Sequence, residues 1–424
     1  MSKRYYCLIC ILLFLASCIS CSSSKKGDII GDINCPIIDT LSNSLKASEI
    51  KKVNIFFDAS GSMKAFMPSS KESSELQILI PDVISHLKTE FPNSVNFYPI
   101  YDTSSKLKSI DLITAENNIL YSKFPQMAGD TYLPKMFESI YKGFLEKETV
   151  NIFISDCIYS PNSKEKKQID QTTKEIREPI QPFTKEYFTT TYCLFSKYNK
   201  IENSPYYIYI IGTPENNHVI EKIVEKTIIT NGQKFEQTNF GLKYKEPYYS
   251  ILPYTDNMPK WLSNPCTNLN GAFANIVTQN WTPGVDSLKF WIGINLNDFP
   301  KYATTNGYLD SNIVLSIKSG KAKILSISKN KPEGLNTDDN EIANKSTHFI
   351  HLLINQLDEN ENSVQISLKY STPNWISDYN QNISETNGQK TFGLKKLMTG
   401  FYDAYYTDVN PLFFRNINIS INKQ

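Results

Sequence analysis

The chain has 424 residues, and its 44 Lys plus Arg against 43 Asp plus Glu leave a formal net charge of +1. That balance argues against a surface built to coat nucleic acid or to lie on anionic lipid. The 40% apolar and 12% aromatic content argues against disorder. The length suits two or three domains, and four His with eight Cys leave little material for a zinc site of spaced ligands.

Residues 1–17 read as a targeting segment, with Lys3 and Arg4 before an apolar run from Tyr5 to Leu15 that is too short to span a bilayer. The run ends in Leu15-Ala16-Ser17-Cys18, which resembles the bacterial lipobox. The resemblance implies cleavage before Cys18 and its modification with lipid, including acyl chains such as palmitate. It places the protein in a bacterial cell envelope, at the outer membrane if the cell is Gram-negative. Cys21 is a second candidate whose preceding residues fit less well. Residues 18–48 follow as lipidated cysteine and tether, polar and small from Ser22 to Gly31. Cys21, Cys35, Cys157, Cys193 and Cys266 remain, an odd number, and no spacing assigns a disulfide.

Residues 49–232 alternate strands and helices. Val53–Phe57 is an apolar run ending on Asp58, the pattern of a buried parallel strand. Leu76–Thr89 has helical spacing, with Pro81 expected to kink or restart it. Val95–Ile100 reads as a strand and Leu107–Ile113 as a weaker edge strand. Leu133–Leu145 is an amphipathic helix, and Val150–Ser155 is a strand that ends on Asp156. Lys164–Ile180 reads as a charged helix, Tyr206–Ile211 as a strand and His218–Lys226 as a helix. The segment from Cys157 to Ser204 is otherwise a long link. Such alternation predicts an α/β fold with a doubly wound, mostly parallel, Rossmann-like sheet.

Residues 233–424 have a different texture. Short strand-like runs at Ser287–Ile294, Ile313–Ile317, Ala322–Ser328, Thr347–Ile354, Ser363–Tyr370 and Asn416–Ile421 are separated by turn signals such as Ser319-Gly320. They predict a β-sandwich-like domain with one helical insertion, Leu394–Tyr405. A break near residue 232 is expected, with the first part closing its own core.

The stretch Asp58-Ala59-Ser60-Gly61-Ser62-Met63 follows the first strand directly, where ligands bind in open α/β sheets. Gly129-Asp130-Thr131 opens a later helix, and Asp156 ends a second apolar strand. On these residues the chain, from Lys51 to Gly212, resembles the von Willebrand factor type A family with its metal-ion-dependent adhesion site. The resemblance implies a divalent ion, Mg2+ or else Mn2+ or Ca2+, held by Asp58, Ser60, Ser62, Thr131 and Asp156. It also implies an open coordination position for the carboxylate of a partner. The chemistry suits these residue types, because a hard cation takes oxygen ligands and neutral hydroxyls leave it electrophilic.

Other chemistry fits poorly. Ser60 lacks a Gly-x-Ser-x-Gly elbow, and His86, His218, His348 and His351 form no family signature. His348 and His351 fall on opposite faces of one predicted strand, and no Gly-rich phosphate loop occurs. The sequence therefore predicts a non-enzymatic envelope lipoprotein. The two resemblances imply that it is membrane-attached through its anchor and binds a protein or other envelope ligand, not nucleic acid, through a divalent cation. Two alternatives stay open: a scaffold subunit with a structural or vestigial metal site, and an enzyme whose active site lies in the C-terminal domain.

Overall fold

The computed structural model describes residues 50–69, 72–101, 107–125, 132–158, 169–241, 246–256, 274–278, 281–282, 284–382, 388–406 and 411–423. The targeting segment, the tether and the stretch Gly129-Asp130-Thr131 lie outside the described residues. Those described form a mixed α/β fold built on a six-stranded sheet and two four-stranded sheets.

The six-stranded sheet is formed by β1 (Lys52–Asp58), β2 (Val95–Ile100), β3 (Thr149–Ser155), β4 (Phe188–Tyr198), β5 (Ile201–Gly212) and β6 (Phe235–Phe240), in the order β2-β1-β3-β5-β4-β6. β1 pairs in parallel with β2 and β3. β5 is antiparallel to β3 and β4, and β6 is antiparallel to β4. Four of the six strands thus run the same way, which is the mostly parallel sheet the alternation predicts. β5 is the strand expected at Tyr206–Ile211, whereas β4, its hairpin partner, was hidden in the long link after Cys157. The β4 run Thr189-Thr190-Thr191-Tyr192-Cys193-Leu194-Phe195 carries the β-branched and aromatic residues of a strand.

Helices cover both faces, as strand alternation requires. Val53, Ile55, Phe57, Ile152, Ile154, Ile208 and Ile210 face α1 (Glu75–Glu90), α2 (Leu112–Leu120) and α5 (Pro214–Thr230). Phe56, Phe153, Tyr207, Tyr209 and Ile211 face α3 (Leu133–Gly143) and α4 (Ile169–Ile180) on the other side. α1 begins at a capping box of Ser74 and Gln77 and continues through Pro81 without restarting. The edge strand expected at Leu107–Ile113 is reduced to a single bridge between Ile110 and Phe97. Asp111 instead caps α2, accepting from the Thr114 amide at 2.8 Å.

The remaining strands form two facing sheets. β10 (Ile313–Ile317), β13 (Glu361–Lys369), β16 (Leu412–Lys423) and β8 (Asn275–Thr278) make one. β11 (Gly320–Ser328), β12 (His348–Leu357), β9 (Leu288–Ile294) and β7 (Tyr249–Leu252) make the other. All pairs are antiparallel except β8 with β16. Their inner faces share one core, in which Phe290, Ile292, Ile350 and Leu352 meet Val364, Ile366, Ile417 and Ile419. α6 (Asn306–Asn312) and α7 (Thr337–Lys345) are insertions between strands.

One core uses residues from both sides of position 232. After β13 the chain forms α8 (Trp375–Asp378), the two-residue strands β14 (Asn380–Gln381) and β15 (Thr391–Phe392), and then α9 (Leu394–Tyr405). Leu394, Leu397, Met398 and Phe401 of α9 pack on Phe153 and Tyr209 of the six-stranded sheet before β16 returns to the sandwich. Tyr370, at the end of β13, bonds Thr238 of β6 at 3.0 Å and stacks near Tyr406 at 4.8 Å.

Candidate metal centre

β1 and β3 are neighbours, and each carries an aspartate to its carboxyl end. The register sets Phe57 against Ile154, so Asp58 and Asp156 leave adjacent strand ends side by side. After Asp58 the chain turns sharply. Ala59 donates to the Ile100 carbonyl at 2.9 Å, and Met63 and Phe66 of the following helical turn, Met63–Phe66, bury themselves under the sheet. The Ser60–Ser62 loop is thereby held between two anchored points.

Asp58 is fully buried and both of its oxygens have donors. Oδ1 accepts from the Ser60 amide at 3.0 Å, and Oδ2 accepts from the Ser155 hydroxyl at 2.7 Å. The Ser60 and Ser62 hydroxyls lie 3.1 Å apart. Asp156 is equally buried, and its Oδ1 accepts from the Ile158 amide at 3.0 Å. Its Oδ2 has no hydrogen-bond partner among the described residues. The structure thus brings together Asp58, Ser60, Ser62 and Asp156, whereas Thr131 lies outside the described residues.

Burial raises both carboxyls, Asp58 to about 6 and Asp156 to about 7. At Asp156 the next cause is repulsion from Asp58. The Ile158 amide and the nearby Ser62 hydroxyl work the other way, although Ser62 makes no geometrically sound bond to Oδ2. Two buried carboxylates with an orphaned oxygen and two adjacent hydroxyls form a set of oxygen donors short of positive charge. A hard divalent ion supplies that charge and prefers those donors. Among the described residues no three His, Cys, Asp or Glu side chains converge, so any cation held here depends on the hydroxyls as well.

Two residues that sequence reasoning passed over support the site. Ser155 bridges the strands, donating to Asp58 while accepting from the Cys157 amide at 2.9 Å. Thr391, from β15, donates to the Asp156 carbonyl at 3.5 Å and contacts Tyr207 at 2.9 Å. Ser155 was visible as the hydroxyl residue beside the strand-ending aspartate. Thr391 had no local signal. Cys157 takes a left-handed φ of 54° directly after Asp156 and rests its thiol on Tyr209 at 3.3 Å. It and Cys193 are both free and buried, and burial drives both thiols up, away from thiolate chemistry.

Ser155→Ala is expected to cost about 1–3 kcal/mol, because it strips a buried carboxylate oxygen of its donor. It should also raise Asp58 further, since that hydroxyl is the largest influence holding the carboxyl down. Urea unfolding at acidic and neutral pH checks both, with the larger loss expected at neutral pH. No family model, curated protein or solved structure matches this chain.

Proposed function

We propose that this protein is a lipid-anchored component of a bacterial cell envelope that binds a partner's acidic group through a divalent cation. Asp58, Ser60, Ser62 and Asp156 would hold the ion, together with Thr131, in the manner of a von Willebrand A-type adhesion site. The observation that carries the reading is the buried, unpartnered Oδ2 of Asp156 beside a second buried carboxylate, at the carboxyl ends of adjacent parallel strands. The bound ion would offset both charges, and a mainly neutral set of remaining donors would leave it able to accept an oxygen from outside. Ser155 holds Asp58 through its hydroxyl.

The experiment is a chelator-controlled capture. Thr131→Ala keeps both carboxylates and is expected to weaken Mg2+ or Mn2+ binding, leave far-UV circular dichroism unchanged, and abolish EDTA-sensitive retention of a partner. Parent-like binding of ion and partner by both Thr131→Ala and Asp156→Ala would sink the reading. The anchor is tested separately: Cys18→Ser should release the chain from the membrane fraction and remove fatty-acid labelling.

A second reading, an active site or ligand cleft in the C-terminal part, has one observation in its favour. A cleft of about 600 Å³ is lined by Glu236, Tyr302, Tyr308, Asn374, Trp375 and Asp378, among others. Glu236→Gln and Asp378→Asn leave the Asp58 site intact, so an activity lost in them would separate this reading from the first.

A further inference from the structure

Away from Asp58 and Asp156, a second group of buried oxygens lies between α5 and strands β4 and β6. Glu221 and Glu225 are one turn apart on α5, half-buried at the border of the face (Ile220, Val224, Thr227) that packs on the sheet. Beneath them Thr190 and Tyr192 share one face of β4, and Asn239 and Gln237 share the same face of β6. The register sets Thr190 against Asn239 and Tyr192 against Gln237. The six side chains therefore stand in two parallel rows.

Each row spends its protons in the same direction. In the first, Asn239 Nδ2 donates to Thr190 Oγ1 at 2.7 Å, and the Thr190 hydroxyl donates to Glu221. In the second, Gln237 Nε2 donates to the Tyr192 hydroxyl at 3.4 Å, and that hydroxyl donates to Glu225 Oε1 at 3.1 Å. The donors end there. Asn239 Oδ1 and Gln237 Oε1 are buried with no hydrogen-bond partner, in residues only 1% and 5% exposed. Each orphaned carbonyl belongs to an amide that is one hydroxyl away from a carboxylate. Lys301 reaches Glu225 Oε2 at 3.3 Å from the solvent side, offsetting one of the two acids. Buried oxygens without donors are costly unless something positive sits among them.

We propose that this double row is a second cation site, of the calcium class, in which Glu221, Glu225, Asn239 and Gln237 supply the oxygens. The mixture favours Ca2+, which accepts carboxylates together with amide carbonyls in flexible numbers, over Mg2+, which keeps its waters and demands octahedral order. An ion here ties α5 to the edge strand β6. Burial also raises Glu221, to about 7, in the absence of an ion. This site shares no residue with the one at Asp58, and the inference does not depend on that reading.

The test counts Ca2+ bound per full-length chain by equilibrium dialysis in the parent, Glu221→Gln and Asp156→Ala. Glu221→Gln is expected to lose one Ca2+ relative to the parent, and Asp156→Ala to retain that one. If the adhesion-site reading fails, Asp156→Ala will match the parent while Glu221→Gln still loses its ion. A Glu221→Gln chain that binds as many Ca2+ as the parent overturns the proposal. Should that variant not fold, Gln237→Met preserves both acids and the side-chain volume. It should show the same loss, and a parent-like count in it overturns the proposal equally.

Discussion

Stripped of divalent cations at neutral pH, Asp156→Asn is expected to be more stable than the parent, and excess Mg2+ or Mn2+ should reverse that order. The cause is the pairing of two buried acids. Burial raises Asp58 and Asp156 above the ordinary carboxylate value, so the folded chain binds their protons more tightly than the unfolded chain does. Stability from such groups is fully present below the unfolded pKa of 3.8 and is lost as pH climbs through about 6 and about 7. The cation-free parent should therefore weaken steadily from about pH 4 to pH 7, by an amount on the order of a few kcal/mol. Asparagine carries no charge, so the variant escapes the part of that loss due to Asp156 and retains only the part due to Asp58. A bound ion selects the carboxylate form and stabilises only the chain that can hold it, by about 2.7 kcal/mol at a hundredfold excess over Kd. Thermal unfolding from acidic to neutral pH, with EDTA and then with Mg2+, provides the measurement. Identical pH slopes for parent and variant in EDTA would refute the raised pair, and an equal Mg2+ shift in both would place the ion elsewhere.

Phe401→Ala is expected to cost about 3–5 kcal/mol, the usual range for emptying a fully buried aromatic site. Phe401 is 0% exposed, with ring centroids 5.0 Å from Phe137, 5.3 Å from Phe240 and 5.7 Å from Tyr209. It lies on α9, a helix that leaves one sandwich strand and returns to another, yet packs on the six-stranded sheet. The loss should therefore be felt by both parts. In urea unfolding, far-UV circular dichroism and the emission of Trp281 and Trp291 in the sandwich are expected to shift to the same lower midpoint. A shift in only one signal would show that the two cores unfold independently despite the shared helix. Gly400→Ala tests the same seam from the backbone side. A Cβ there would lie 2.7 Å from Ile176 Cβ and 2.8 Å from the Thr173 carbonyl, so α9 and α4 would have to part, at about 1–3 kcal/mol.

The strands ending at Asp58 and Asp156 were legible because a short, mainly apolar run that stops on an acid, interrupted in each only by an asparagine (Asn54 and Asn151), has few uses other than a buried parallel strand. Such a strand is hydrophobic on both faces, which needs no partner information to recognise. The sandwich strands were legible through alternation and turn residues for the same local reason. β4 was not, because Thr189, Thr190 and Thr191 look polar in isolation and are fully buried only once β5 and β6 flank them. The helix at Leu112–Leu120 was lost to a strand reading because a single cap at Asp111 decides where the chain turns.

What the sequence determined by itself is therefore the α/β alternation, the sandwich-like strands and the residue types of the oxygen-rich loop, all of which depend on local pattern. Tertiary structure alone decided that α9 roofs the first sheet, since an amphipathic helix announces an apolar face but not what it covers. It alone also decided that Ser155 holds Asp58, that Thr391 backs Asp156, and that Asp156 Oδ2 is left without a donor. Burial and hydrogen bonding belong to whichever residues lie across from one another, and residues distant in sequence meet only when the sheets close.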